Sequence, residues 1–136
     1  MVIMRNLKRI LTVALVIVMV FCMAGCGGHS SHFRATMMIR NNTSKSAFTN
    51  FHKMEGTLVF KLNNKNVSGK IKYSGRLEKG SATVYYEIDG AKKELFTVGE
   101  GGNVSATLEN VGKGKIYVFV ETNGKCEGGD FQFDLE

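Results

Sequence analysis

The stretch that decides the fold runs from residue 81 to residue 90 and reads Ser-Ala-Thr-Val-Tyr-Tyr-Glu-Ile-Asp-Gly. Its apolar side chains occupy every second position, and a period of two is that of a β-strand with one buried face. Asp89-Gly90 then supplies the residues that a tight hairpin turn favours. The stretch therefore predicts a strand that ends in a hairpin.

The same alternation recurs on both sides of this stretch, interrupted by turn residues roughly every 8–12 positions. It is seen over residues 33–39, 57–62, 67–74, 93–98, 104–108, 115–122 and 131–135. Residues 41–46, 63–66 and 99–103 have the composition of turns or loops between these strands. This pattern predicts an all-β domain, an antiparallel β-sandwich of jelly-roll or Ig-like type with about 7–8 strands. The strand from Lys115 to Thr122 is apolar on both faces, so we expect it to lie at the centre of the sandwich.

The first 25 residues have a different pattern. Arg5, Lys8 and Arg9 precede an apolar run of 12 residues from Ile10 to Phe21, in which Thr12 is the one polar residue. A basic start before a short apolar run is the layout of a secretory signal, whereas a permanent membrane span needs about 20 apolar residues. Residues 1–25 are therefore predicted to form a helical signal peptide.

The apolar run leads into Met23-Ala24-Gly25-Cys26. This tetrad resembles a bacterial lipobox, in which an apolar residue and two small residues precede a cysteine. The resemblance implies a lipoprotein precursor: a diacylglyceryl group on the Cys26 thiol, cleavage between Gly25 and Cys26, and palmitate-type acyl chains that hold the protein on the extracytoplasmic side of the cell membrane. Residues 26–32 are then a flexible tether of small polar residues, and residues 33–136 form the β-sandwich domain.

Charge and cysteine content restrict the possible partners. The chain has 136 residues, three cysteines, no proline and a formal charge of +6, which falls to +3 once Arg5, Lys8 and Arg9 leave with the signal peptide. That balance and the export signal disfavour nucleic acid. After signal cleavage and lipidation of Cys26, Cys126 would be the one remaining free thiol, and it lies in a turn-like stretch. We interpret it as a non-catalytic thiol; an intermolecular disulfide is the alternative.

No catalytic or cofactor motif is present, so we expect no enzyme activity, no cofactor and no metal site. His29 and His32 on the tether lack the further ligands that a metal site needs. A small hydrolase stays possible only if the fold creates a cleft with convergent polar groups.

Three pieces of the mature region resemble small exported β-sandwich lipoproteins without assigned activity. They are residues 70–75, residues 85–90 and the ending from Gly114 through Phe133. Such pieces also recur in sugar-binding modules and in pre-peptidase C-terminal domains, so the resemblance implies a fold and no catalytic residue.

Candidate binding residues are aromatic side chains that the alternation places away from the core. Tyr85 and Tyr117 fall on the polar phase of their strands and could form a surface for sugar rings or for a protein partner. Phe119 shares that phase, and we expect it to lie beneath a loop or the first strand.

The first hypothesis is a non-catalytic binding or envelope-interaction module for an envelope polymer or protein. The alternative is a protective, immunity or inhibitor lipoprotein that binds a peptide or protein.

Overall fold

The computed structural model describes residues 29–136, and residues Ser31–Glu136 form one compact unit. The predicted signal peptide, Gly25, Cys26 and the start of the tether lie outside the described residues. The described chain is built from strands alone: β1 (His32–Thr36), β2 (Ile39–Asn42), β3 (Ser46–Ile88), β4 (Ala91–Val98) and β5 (Asn103–Leu135). Within this range, no helix is long and apolar enough to cross a membrane.

β3 and β5 are long because each bends and continues as several consecutive segments, and each segment pairs with a different part of the chain. The antiparallel pairings of β3, β4 and β5 define eight segments in two sheets. The first sheet contains, in spatial order, residues 46–51, 129–134, 71–76 and 103–108, with β2 at its edge. The second sheet contains residues 57–64, 114–121, 81–88 and 91–98, with β1 pairing at the start of the first of these.

This order of segments is that of a jelly roll, in which eight antiparallel strands form two facing four-stranded sheets. The prediction of an antiparallel β-sandwich is confirmed, and of its two forms the chain adopts the jelly roll. Aromatic rings join the sheets, because the centroids of Phe60 and Phe133 lie 6.3 Å apart and those of Phe96 and Phe131 lie 6.4 Å apart. The predicted central strand is also correctly placed, since Ile116, Val118 and Val120 are fully buried.

Three predicted turns connect strands, and others do not. The chain turns between β2 and β3, at Asp89-Gly90, and again between β4 and β5. The predicted turn at residues 63–66 is instead a bend inside β3, where the pairing register shifts between Asn64 and Ser68. Buried Asn64 fastens this bend, because its amide nitrogen donates to the carbonyls of Val111 and Gly112 at 3.1 and 3.0 Å. The Asn64 side chain also makes a local turn contact, since its Oδ1 accepts from the Asn66 amide at 3.1 Å. Side-chain hydrogen bonds thus hold the bend.

The N-terminal alternation over residues 33–39 predicts one strand, but the structure has two. Met37 adopts a left-handed backbone with φ of 51°, which ends β1 and redirects the chain into β2. β1 pairs with residues 53–57 of β3, and β2 pairs with residues 47–50. The N-terminal segment therefore follows one edge of the sandwich from the second sheet to the first.

Candidate functional site

The outer face of the second sheet carries an aromatic group that does not belong to the core. Val84 and Val118 point inward, so the alternation turns Tyr85, Tyr117 and Phe119 outward. We call these three residues the outer aromatic cluster. They lie on the two central strands of the sheet, and the outward direction of Tyr85 and Tyr117 follows the alternation of their strands.

Strand pairing brings the three rings together. Tyr85 lies directly opposite Phe119, and Glu87 lies directly opposite Tyr117. Tyr85 and Tyr117 are therefore diagonal neighbours, and such pairs are about 7–8 Å apart at the backbone. Both tyrosines are half-buried, whereas Phe119 is only 5% exposed. The two tyrosines therefore supply the accessible ring area of the cluster, and Phe119 lies almost buried between them.

A lysine that sequence reasoning missed completes this surface. The Nζ of Lys92 lies 4.4 Å from the ring centroid of Phe119 and 4.7 Å from that of Tyr85. The same Nζ pairs with Glu121 Oε2 at 3.4 Å. Cation–π contacts of this kind favour a positive charge above aromatic faces.

A β-bulge explains why Lys92 faces outward. The register between β3 and β4 shifts between Val84 and Tyr85, so Phe96 pairs with Val84 while Glu94 pairs with Tyr85. Without this shift, Lys92 would share a face with Phe96 and Val98, which are buried. The sequence carries a sign of this bulge. Lys92, Glu94, Phe96 and Val98 share one phase of the alternation, and a regular strand would place these charged and apolar residues on the same face.

The outer face of the first sheet differs in chemistry. A shallow groove of about 210 Å³ is lined by Lys72, Tyr73, Ser74, Ser105, Gln132 and Asp134. The Gln132 amide donates to Asp134 Oδ2 at 2.9 Å. Tyr73 turns inward, where its ring stacks on Phe96 with centroids 5.1 Å apart. Phe48, half-buried and paired with Gln132, is an aromatic residue of the outer face and serves as a comparison for the outer aromatic cluster.

A third concave surface lies between the edge strands of the two sheets. It is a groove of about 300 Å³ whose apolar lining comes from Tyr86, Ile88, Ala91, Leu108 and Val111. Lys93, Glu109 and Asn110 form its polar rim. The groove has the apolar floor and polar margin typical of binding clefts.

Cys126 has an environment unlike the predicted turn. It lies within β5, is fully buried and packs in the core. Its Sγ donates to the Ser81 carbonyl at 3.2 Å, and burial raises the pKa of the thiol. A buried thiol with a raised pKa is a poor nucleophile and is inaccessible to a partner thiol.

Among residues 29–136, no group of three or more His, Cys, Asp or Glu side chains could hold a metal ion. Over the same range, every buried side-chain nitrogen or oxygen has a hydrogen-bond partner. The features of the described surface are thus an aromatic cluster and shallow grooves.

No protein family matches the chain, and neither does any curated protein. Several solved structures are similar in fold. A family 61 carbohydrate-binding module in complex with β-1,4-galactotriose has a TM-score of 0.47 and 16% identity, over 82% of this chain and 92% of that one. A family 29 carbohydrate-binding module with mannohexaose has a TM-score of 0.41 and 15% identity, over 79% of each chain. The pre-peptidase C-terminal domain of a collagenase from Bacillus anthracis has a TM-score of 0.43 and 19% identity, over 71% of this chain and 91% of that one.

Proposed function

We propose that the protein is a lipid-anchored, extracytoplasmic binding module that recognises a polymer containing sugar rings through the outer aromatic cluster. One observation carries the proposal: half-buried Tyr85 and Tyr117 are diagonal neighbours beside Phe119 on the outer face of the second sheet. Apolar groups gathered on an outer face are typical of interaction sites. Tyrosine suits such a site, because its ring offers a flat apolar face and its hydroxyl a hydrogen-bonding group.

The charged side chains around the cluster suit the hydroxyl groups of a sugar. Lys92 and Glu121 border the rings on one side, and Glu87 lies opposite Tyr117 on the neighbouring strand. Lys92 covers part of the Tyr85 and Phe119 faces, so a ring that stacks there must displace its ammonium group. The Lys92–Glu121 pair is about one-third exposed on each side chain, and exposed ion pairs of this kind are worth at most about 1 kcal/mol. Displacement also breaks the two cation–π contacts, each worth about 0.5–1 kcal/mol, and the freed ammonium group offsets part of this cost by donating to a sugar oxygen.

Tyr117→Ala tests the site. We expect the substitution to weaken binding to the recognised envelope polysaccharide about tenfold, or roughly 1.4 kcal/mol, because it removes one stacking ring. Sedimentation with purified cell-wall polysaccharide, and titration with soluble oligosaccharides, would measure the affinity. Phe48→Ala is the matched control, since it removes a half-buried aromatic side chain from the opposite sheet and should leave binding unchanged. Equal losses in both variants would contradict the assignment.

The groove between the edge strands favours a second function, a protective or inhibitor protein that binds a peptide. Its floor of Tyr86, Ile88 and Leu108 is apolar, and β4 borders it as an edge strand. An extended peptide can add to such an edge while its side chains enter the groove. Binding of a peptide or protein that survives Tyr117→Ala would favour this function over sugar recognition.

Membrane anchoring is the other part of the proposal, and the sequence Met23-Ala24-Gly25-Cys26 supports it. Two acyl chains on one diacylglyceryl group give stable attachment without help from the polypeptide. We expect Cys26→Ala to yield an uncut precursor or a protein released from membranes, as fractionation and intact mass would show. Unchanged membrane association of a correctly processed Cys26→Ala chain would overturn the anchor.

A further inference from the structure

We propose that the N-terminal edge of the domain, residues 32–42, lies against anionic lipid headgroups of the membrane that holds the protein. The inference rests on the lipid anchor proposed above and assigns a second contact between the domain and the bilayer. This edge contains β1, the bend at Met37 and β2.

This edge holds most of the large apolar side chains that are exposed to solvent in the described part of the chain. Met37 is 80% exposed, Ile39 is 65% exposed and Phe33 is 37% exposed. Among the described residues, Val67 is the remaining exposed large apolar side chain, so three of these four lie within seven consecutive positions. Large apolar residues gathered on a surface mark an interaction site rather than a solvated one.

The charge of this region matches an anionic surface. Residues 27–54 contain no Asp or Glu, whereas Arg34, Arg40, Lys45 and Lys53 lie among them. Each cation near an anionic membrane contributes about 1 kcal/mol of attraction.

Beside β1 lies a concave surface of about 370 Å³, lined by the cations Arg34, Lys53 and Lys125 and by one acid, Glu55. Lys53 is partly neutralised by Glu127 at 3.8 Å, and the lining remains positive overall. The surface has the size and charge of a site for a phosphate-bearing headgroup.

Tether length places this edge near the bilayer. His32 is six positions after Cys26, and an extended chain spans at most about 3.5 Å per position, or roughly 21 Å in total. The first residue of β1 therefore stays within about 21 Å of the acylated cysteine. The basic and apolar edge is the part of the domain nearest along the chain to the lipid.

Strand addition by a second copy of the chain fits this edge less well. Left-handed Met37 separates β1 from β2, which have five and four residues. Short, interrupted edges resist pairing with another strand. A lipid surface, in contrast, needs no continuous row of backbone hydrogen-bonding groups.

The absence of tryptophan from the chain allows a direct test. Phe33→Trp is produced as the full precursor in a lipoprotein-processing bacterium, extracted in detergent and reconstituted into vesicles of phosphatidylcholine and brominated phosphatidylglycerol. Interfacial side chains lie roughly 5–10 Å into the headgroup region, so we expect about twofold or greater quenching of the indole. Salt of about 1 M, where the screening length falls to about 3 Å, should reduce that quenching.

Val67→Trp is the matched control, because Val67 is 88% exposed yet pairs with no residue of the N-terminal edge. Its indole should remain unquenched. Ile39→Trp gives a second probe of the edge should Phe33→Trp fail to fold. Three outcomes would overturn the docking while leaving the anchor intact. The first is vesicle-bound protein in which the indoles of Phe33→Trp and Ile39→Trp are unquenched. The others are equal quenching of Val67→Trp and quenching that requires protein dimers. Protein that does not sediment with the vesicles would overturn the anchor and the docking together.

Discussion

Gly129→Ala should destabilise the domain by about 3 kcal/mol or more, a lowering of roughly 12 °C in melting temperature. A Cβ at this position would overlap the ring of Phe51, with Cε1 and Cε2 only 2.5 Å away. Phe51 cannot retreat, because it is 2% exposed and its ring stacks on Phe131 with centroids 6.2 Å apart. Thermal or urea unfolding followed by circular dichroism would measure the change.

Gly112→Ala is the matched control for this prediction. A Cβ at Gly112 meets nothing within 4 Å, so the expected change is within about 0.5 kcal/mol. Combining Gly129→Ala with Phe51→Leu should recover part of the lost stability, since the smaller side chain makes room for the methyl group. A Gly129→Ala variant of unchanged stability would contradict the prediction. So would a double variant whose loss in unfolding free energy equals the sum of the two single losses, since the overlap would then be relieved elsewhere.

Val118→Asp should leave the domain largely unfolded. Val118 is fully buried, and its neighbours across the strands are Phe60 and Tyr86. A carboxylate placed there would lack a partner, and its neutral form would still bury an unsatisfied polar group, at a cost of several kcal/mol. That cost is comparable with the whole stability of a domain of this size, about 5–15 kcal/mol.

Val118→Ala separates lost volume from buried charge. It should remain folded with a loss of about 2 kcal/mol, because it removes two methyl groups without adding a polar group. Far-ultraviolet dichroism and denaturant titration would compare the two variants. A soluble Val118→Asp protein with native dichroism and melting would contradict the central position of this strand.

Local alternation was enough to predict the sandwich. Ala82 and Val84 are buried while their neighbours Ser81 and Thr83 are half-buried, as a period of two requires. The strands' lengths could not be read in this way, because residues 63–66 carry the composition of a turn but form a bend that Asn64 holds by long-range hydrogen bonds. Composition records local preference, whereas the partners of Asn64 lie 47 and 48 positions along the chain.

The candidate site was also predicted only in part, because alternation within one strand does not report contacts between strands. Tyr85 and Tyr117 were found because each opposes the apolar phase of its own strand. Lys92 was missed because its outward position depends on a register shift between two strands, which strict alternation does not include. The buried position of Cys126 was also missed, because the glycines around it are typical of turns.

The pairing of residues 46–51 with residues 129–134 has a consequence for the order of events in biogenesis. The first strand of the jelly roll has no neighbour on that side until residues about 80 positions later are available, so the first sheet cannot close before they arrive. Contacts of such wide sequence separation also make folding slow. We propose that this chain is exported, and on that proposal both effects are useful, since a slowly folding chain can pass a narrow channel before its first sheet closes.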